Sequence, residues 1–262
     1  MNVWRIRIRT FLKYKDLLIE LVSRNLKLKY RRSFLGYIWS ILNPLLIMIV
    51  MTIVFSTMFK KSIENFPVYL LTGRLLFDLV MTSTNKAMHS ITGNAPLLKK
   101  TYVPKYIFTL AAITSCLVDF VLSLGALLLV MLVTGVKPTL YLIFVPLVAL
   151  QTYIFCCGFG FFLAQANVFF RDIQYIYNAF TTAWLYMTPI FYPIDALPNK
   201  LQFIIKALNP MYYYIAQFRD LVCYGRFPGP RIFLGGWLIA FLFLFVGIYS
   251  FQRNKNKFIL YI

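Results

Sequence analysis

Negative charge is scarce in this chain. Its 262 residues hold 8 Asp and Glu against 27 Lys and Arg, and histidine occurs once. A single histidine excludes a multi-histidine metal site and a histidine pair. No glycine is followed by lysine, so the phosphate-cradling loop GxxxxGK[ST] is absent and ATP cannot be bound in that manner. The four cysteines, Cys116, Cys156, Cys157 and Cys223, have neither metal nor redox spacing. Three of them lie in apolar runs, where cysteine acts as a small hydrophobe. The charged N-terminus lacks the short apolar core and small-residue cleavage site of a secretory signal. With no internal repeat and no low-complexity linker, one integral domain over 1–262 is expected.

What is abundant is apolar surface. Hydrophobic residues make up 60% of the chain and aromatics 18%, charged residues only 13%, and the mean hydropathy is +0.72. A soluble domain of this length could not hide so much. Several uncharged runs reach the ~20 residues that cross a hydrocarbon core of about 30 Å. The pattern is that of an all-α, multi-pass membrane protein. The net charge of +19 does not point to nucleic acid, because ten of the basic residues precede Ser33 and three more follow the last apolar run. Bases flanking spans act as anchors that meet anionic membrane lipid.

The periodicity predicts an amphipathic interface helix over 11–29. Lys13, Asp16, Glu20, Arg24 and Lys27 share one side, opposite Tyr14, Leu18, Leu21 and Val22. A six-span bundle over 34–251 is expected to follow, with spans near 34–59, 66–91, 106–133, 140–166, 173–192 and 232–251 and a tail at 252–262. The second span is poor by hydropathy, since it holds Arg74, Asp78, Lys86 and His89, and the third holds Asp119. An even count puts both termini on one side. That side then carries 17 basic residues and the other 8, which predicts cytoplasmic termini. Between spans five and six, Pro198, Pro210 and Pro228 divide an apolar connection into two short amphipathic helices, near 200–208 and 211–223. Such segments dip into the outer leaflet or line a vestibule.

Three local features carry candidate sites. Lys27, Lys29, Arg31 and Arg32 crowd the approach to span one, which is then notched by Asn43-Pro44; a gate at the entrance is the expectation. In span five, Tyr177, Phe180, Trp184, Met187 and Phe191 follow spacings of 3, 4, 3 and 4, one aromatic stripe suited to helix packing or to a wall along sugar rings. Between spans two and three, Pro96 opens and Pro104 closes a short segment that presents Leu97, Leu98 and Tyr102 among Lys99 and Lys100. It forms an apolar-basic knob for a soluble partner. Arg74 and Asp78, four apart, can neutralise each other. A catalytic role for Asp78, Asp119 or His89 would make the chain a membrane enzyme on polyprenyl-linked sugars, the alternative class.

The ordered set LKYRRSFLGYIWSILNPLL, NAPLLKKTYVPKYI, NVFFRDIQYI and TPIFYPIDALP resembles the permease subunit of type 2 ABC transporters that export polysaccharides: O-antigen, capsule and teichoic acid exporters. The resemblance covers almost the whole chain and implies a non-enzymatic homodimer in the bacterial inner membrane. It would pair with two copies of a separate ATPase subunit that binds MgATP, this chain holding no cofactor or metal. By that likeness Glu20, Leu97, Leu98, Lys99, Lys100 and Tyr102 would contact the ATPase. Arg24, Lys29, Tyr30, Arg31, Arg32, Phe34, Tyr37 and Trp39 would gate the entrance of a lipid-linked glycan, of O-antigen type by preference. Asn43, Tyr177, Phe180, Trp184, Met187 and Phe191 would line the channel. Arg74 and Asp78 charge a part of span two expected to be more apolar in relatives.

Overall fold

Backbone groups in hydrocarbon must be satisfied within the chain, and helices achieve this locally. The computed structural model describes residues 12–31, 33–59, 63–258 and 261, with the backbone alone for 56–59. Among the described residues there are ten α-helices and no strand. They are α1 Lys15–Tyr30, α2 Trp39–Phe59, α3 Phe66–His89, α4 Ala95–Lys100, α5 Tyr106–Thr134, α6 Val145–Phe169, α7 Ile173–Met187, α8 Asn199–Leu208, α9 Pro210–Val222 and α10 Pro230–Asn254. Phe11, the first residue of the expected interface helix, and Arg32 of the expected gate lie outside the described residues.

Among the described residues four stretches are long and apolar enough to cross a membrane: Gly36–Phe55, Tyr106–Thr134, Leu140–Phe169 and Pro230–Asn254. The other two expected spans differ in kind. Helix α3 has 24 residues, enough length, but carries charge. Helix α7 has 15 residues, about 22 Å of rise and short of the hydrocarbon thickness. The expected fifth span at 173–192 therefore ends early: Thr188 turns extended, and Pro189 and Pro193 cannot donate to a continuing ladder. The first span also starts later than expected. Residues 33–38 form bends and a 3-10 turn, and the α-helix opens at Trp39 and runs through Pro44.

The charged helix is the central one. Sixteen residues of α3 are buried, and it packs against α5, α6 and α9. This explains why low hydropathy is tolerated there: protein rather than lipid surrounds most of the helix, and its buried polar side chains other than Ser83 find partners inside. Ser90 bonds Thr109 across to α5 at 2.8 Å, and Asn167 of α6 donates to the Met88 carbonyl of α3 at 3.1 Å.

Within lipid there is little hydrophobic drive between helices, so close packing must hold them. The tightest crossing is α6 against α10. A Cβ added at Gly247 would lie 2.0 Å from the Gly158 carbonyl oxygen, and one at Gly158 would lie 2.3 Å from the backbone of Phe243 and Leu244. Only two glycines allow that approach. On α6, Gly160 faces the opposite way, toward Ala87 of α3 and Ile113 of α5. Outward, α2 and α10 expose Ile49, Val50, Ile53, Leu238, Leu242 and Phe245, an apolar belt.

The start of α1 and the segment after α10 meet the same loop. Tyr14 donates to the Tyr102 carbonyl at 3.3 Å, and Lys105 donates to the Lys255 carbonyl at 2.5 Å. The tail folds back so that Phe258 is fully buried between Phe169 and Phe251. Helix α1 lays Leu21, with Tyr14, Leu17, Leu18 and Val22, against this end of the bundle, chiefly α5. Its apolar face is thus covered by protein.

Candidate functional site

At the end where α1 packs and the 255–258 tail folds back, α1, α3 and α5 enclose a cleft of about 550 Å³. Arg24, Asn25 and Lys29 come from α1, Asn85, Lys86 and His89 from α3, and Asn94 from the following turn, over a floor of Phe108, Ala111 and Ala112. Basic and amide groups line it and no carboxylate does. Asp119 of α5 lies alongside with its side chain only 12% exposed. It accepts from Lys29 Nζ at 2.9 Å and from Tyr30 Oη at 3.2 Å, and Lys86 Nζ lies 3.9 Å away. One carboxylate thus gathers two ammonium groups from different helices, and the cleft stays net positive. Burial pulls the Lys29 ammonium down, but its hydrogen bonds to Tyr30 and Asp119 and their charge outweigh it, holding the pKa above the ordinary 10.5. Such a cleft suits a phosphate-bearing headgroup.

The linker from α1 to α2 closes one side of this region. Buried Tyr30 hydrogen-bonds Ser40 across the linker, and its ring meets Tyr37 at 4.8 Å between centroids. Gly36 holds φ +51° with no atom within 4 Å of a built Cβ, so backbone conformation and not crowding demands glycine there. Phe34 is fully exposed, and Tyr37, Trp39 and Asn43 are exposed as well. Arg31 is exposed but does not line the cleft. Of the expected gate residues the structure brings Arg24, Lys29 and Tyr30 together. Sequence reading missed that Lys86, His89, Asn85 and Asn94 join them; the signal available was the charge inside span two.

From the cleft a polar face ascends α3. Arg74, Asp78, Thr82, Asn85 and His89, spaced by 4, 4, 3 and 4, share one side, and none of them is buried. Arg74 Nε donates to Asp78 Oδ2 at 2.9 Å, so this charge is paired. A polar, partly open face in an otherwise apolar bundle marks contact with water or with a polar solute.

Helix α7 splits the expected aromatic stripe. Tyr177 and Trp184 are buried: Tyr177 bonds Thr84 of α3, and Trp184 Nε1 donates to Asn209 Oδ1 at 2.8 Å. Phe191 has left the helix and stacks on Phe55 of α2, at 5.3 Å between centroids. Phe180 and Met187 are exposed, as are Tyr175, Asn178, Thr182 and Tyr186. The stripe therefore follows the packing edge of a helix attached along one side. The open face beside it mixes aromatic rings with hydroxyl and amide groups.

The apolar-basic knob forms, with one correction. Leu98 is buried and anchors α4 to the core, so it does not project; a six-residue helix needs an apolar foot on the bundle. Leu97, Lys99, Lys100 and Tyr102 are exposed, Tyr102 fully. Arg24 donates to Asn94 Oδ1 at 3.1 Å, and the Tyr14–Tyr102 bond adds a second tie between α1, where Glu20 is exposed, and the knob.

At the opposite end Asn209 joins α7 to the two short helices. Its side chain caps α9 by accepting from Met211 N at 3.0 Å, accepts from Trp184, and donates to Thr188 Oγ1 at 3.0 Å. Buried Arg219 of α9 bonds the carbonyls of Pro189 at 2.7 Å and Ile190 at 3.2 Å, and lies 3.4 Å from the centre of the Tyr69 ring of α3. The short helices are thereby clipped to α3 and to the end of α7.

Comparison with known proteins adds a family match and three relatives. Residues 16–222 match the family described as ABC-2 type transporter. The chain is 30% identical over 252 residues to the O-antigen export system permease protein RfbA of Myxococcus xanthus, covering 96% of this chain and 97% of the relative. It is 29% identical to the protein of the same name from Klebsiella pneumoniae, over 93% of each, and 23% identical to the polysialic acid transport protein KpsM of Escherichia coli, over 90% of this chain and 92% of that one.

Proposed function

The chain belongs to the ABC-2 type transporter family, and on that premise we propose that it is the membrane subunit of an ATP-driven exporter of a lipid-linked polysaccharide, with an O-antigen-type glycan as cargo. Capsule polysaccharide is the nearest alternative cargo, as the more distant relatives' names indicate.

The basic, amide-lined cleft between α1, α3 and α5 is the observation that carries this reading. A lipid-linked glycan has an anionic phosphate head, a hydrocarbon tail and a hydrophilic chain. Arg24, Lys29 and Lys86 attract the head, while the exposed Phe34, Tyr37 and Trp39 offer the tail an apolar approach. The polymer then needs a protein-lined route, because bare hydrocarbon rejects it. In a homodimer the polar face of α3 and the open face of α7 supply that route, with Asn43 of α2 beside them.

Hydrolysis takes place on MgATP in a separate ATPase subunit, two copies per homodimer. Those subunits dock on Glu20 of α1 and on Leu97, Lys99, Lys100 and Tyr102. The ties from Tyr14 to Tyr102 and from Arg24 to Asn94 carry their movement into α1 and so to the gate at Tyr30–Gly36. Both termini face the cytoplasm. The charge asymmetry supports this, and Arg219, counted among the 8 bases of the other side, is buried in the fold and adds no solvated charge there. The enzyme alternative loses ground: Asp119 is engaged by Lys29 and Tyr30, and Asp78 by Arg74.

The test is affinity purification from the native membrane. A nucleotide-binding subunit in about equal amount, with hydrolysis altered by lipid-linked glycan, is the expected result. Recovery without any such companion, or glycan modification by the isolated chain, would overturn the proposal.

A further inference from the structure

A second cavity, of about 490 Å³, lies at the far end of the bundle beneath α9, between the start of α3, the 189–195 segment and the 223–226 turn. Its volume falls in the range of about 300–1,000 Å³ typical of small-molecule sites. The lining is unusual for this chain. Three of the eight acidic residues, Glu64, Asp195 and Asp220, meet here, with the rings of Tyr69, Tyr212 and Tyr224.

Resting on the export reading above, we propose that this cavity is a saccharide-binding site that holds sugar units of the emerging glycan. Carboxylates accept strongly from sugar hydroxyls, and tyrosine rings support the C–H faces of pyranoses while their own hydroxyls remain free to bond. The groups are available. No described residue forms an ion pair with Glu64 or Asp195, and Asp220 gives one oxygen to Arg226 Nε at 2.7 Å, with its other oxygen unbonded among the described residues. Arg219 supplies an independent sign of a missing partner. It is only 7% exposed and lines the same cavity, yet its Nε–H finds no acceptor among the described residues. A buried guanidinium donor left without an acceptor is unfavourable, so a ligand oxygen is the natural complement. Burial and the nearby Asp195 hold the Tyr212 phenol above its ordinary value, which keeps it a neutral hydrogen-bonding group.

The charge selects among ligands. An anionic lipid headgroup is disfavoured because the three carboxylates outnumber the two guanidinium groups of the lining, Arg219 and Arg226, the latter already paired with Asp220. A divalent cation is disfavoured too, because among the described residues no three carboxylate, histidine or cysteine groups converge enough to hold one. A neutral or amino sugar meets neither objection. Its capture at the exit would bias a sliding polymer outward between strokes of the motor.

The experiment is saturation-transfer difference NMR on the purified transporter complex in nanodiscs. The probe is a mixture of oligosaccharides released by mild acid from the source cells' own surface polysaccharide. Transfer to sugar ring protons is expected. Tyr212→Ala and Asp195→Asn each weaken binding about tenfold or more, the loss of one charge-assisted contact or stacking face, whereas Tyr212→Phe stays within about threefold. Absent transfer in a preparation that still exports glycan would sink this site and leave the exporter reading intact. Absent transfer together with absent export would sink both. Displacement of the sugars by glycerol phosphate would assign the cavity to lipid and overturn the proposal.

Discussion

Removing the Asp119 carboxylate should loosen the interface helix from the bundle. In Asp119→Ala, Lys29 loses a bond of 2.9 Å, Tyr30 loses one of 3.2 Å, and Lys86 loses a neighbour at 3.9 Å. Charges 2.9 Å apart attract by about 6 kcal/mol at an effective dielectric of ~20, and desolvation offsets much of that. The Lys29 side chain is 43% exposed, so water takes up part of its loss, and Tyr30 keeps Ser40. A net loss of roughly 2 kcal/mol remains, a fall in Tm of about 4–8 °C for a chain of this size. Asp119→Asn, which still accepts from Tyr30, should lose about half as much. Thermal unfolding of purified protein reads this, and a double-mutant cycle with Lys29→Met should return a coupling of about 1 kcal/mol. The pH dependence follows from Lys29. Its pKa is raised in the fold, so the pair contributes fully below the ordinary 10.5 and fades only as pH climbs through the higher folded value; the gap between wild type and Asp119→Asn should stay constant from pH 7 to 9. An unchanged Tm in Asp119→Ala, or a cycle with no coupling, would refute the account of Asp119 as the tie between α1, α3 and α5.

Other substitutions probe the rest of the frame. Gly247→Leu places a side chain where a Cβ alone would lie 2.0 Å from the Gly158 carbonyl oxygen; folded protein should vanish from size-exclusion profiles, and a normal monodisperse peak would contradict the crossing. Asn209→Ala strips the α9 cap and the partner of Trp184 together, with an expected loss of about 2–4 kcal/mol in thermal unfolding; a change under 1 kcal/mol would show the network to be idle. Leu98→Ala should lower stability by about 2–4 kcal/mol because its side chain is buried. Tyr102→Ala should leave stability unchanged and reduce co-purification of the ATPase subunit, and full retention of that subunit would place docking elsewhere.

Local sequence determined the helical class and most of the helix positions. Runs such as those in α2, α5, α6 and α10 are apolar over a length that hydrocarbon demands, and no neighbour needs to be known to read them. Proline set the short helices: Asn209-Pro210 ends α8 and caps α9. The grouping of Arg24, Lys29 and Tyr30 was legible for the same reason, since they lie close together along one helix and its end. Tertiary structure decided what each exception means. Charge in α3 reads from sequence as a poor span, yet burial among α5, α6 and α9 makes it the centre of the fold and leaves its polar face partly open. The stripe on α7 has the period of a wall, but only packing shows that Tyr177 and Trp184 turn inward while Phe180 and Met187 stay open. The joining of Lys29 to Asp119, 90 residues apart, and of Glu64 to Asp220 in one cavity leaves no trace in spacing. Periodicity records which side of a helix is apolar, whereas the partner of a charge is set by how helices cross, and that depends on contacts between distant parts of the chain.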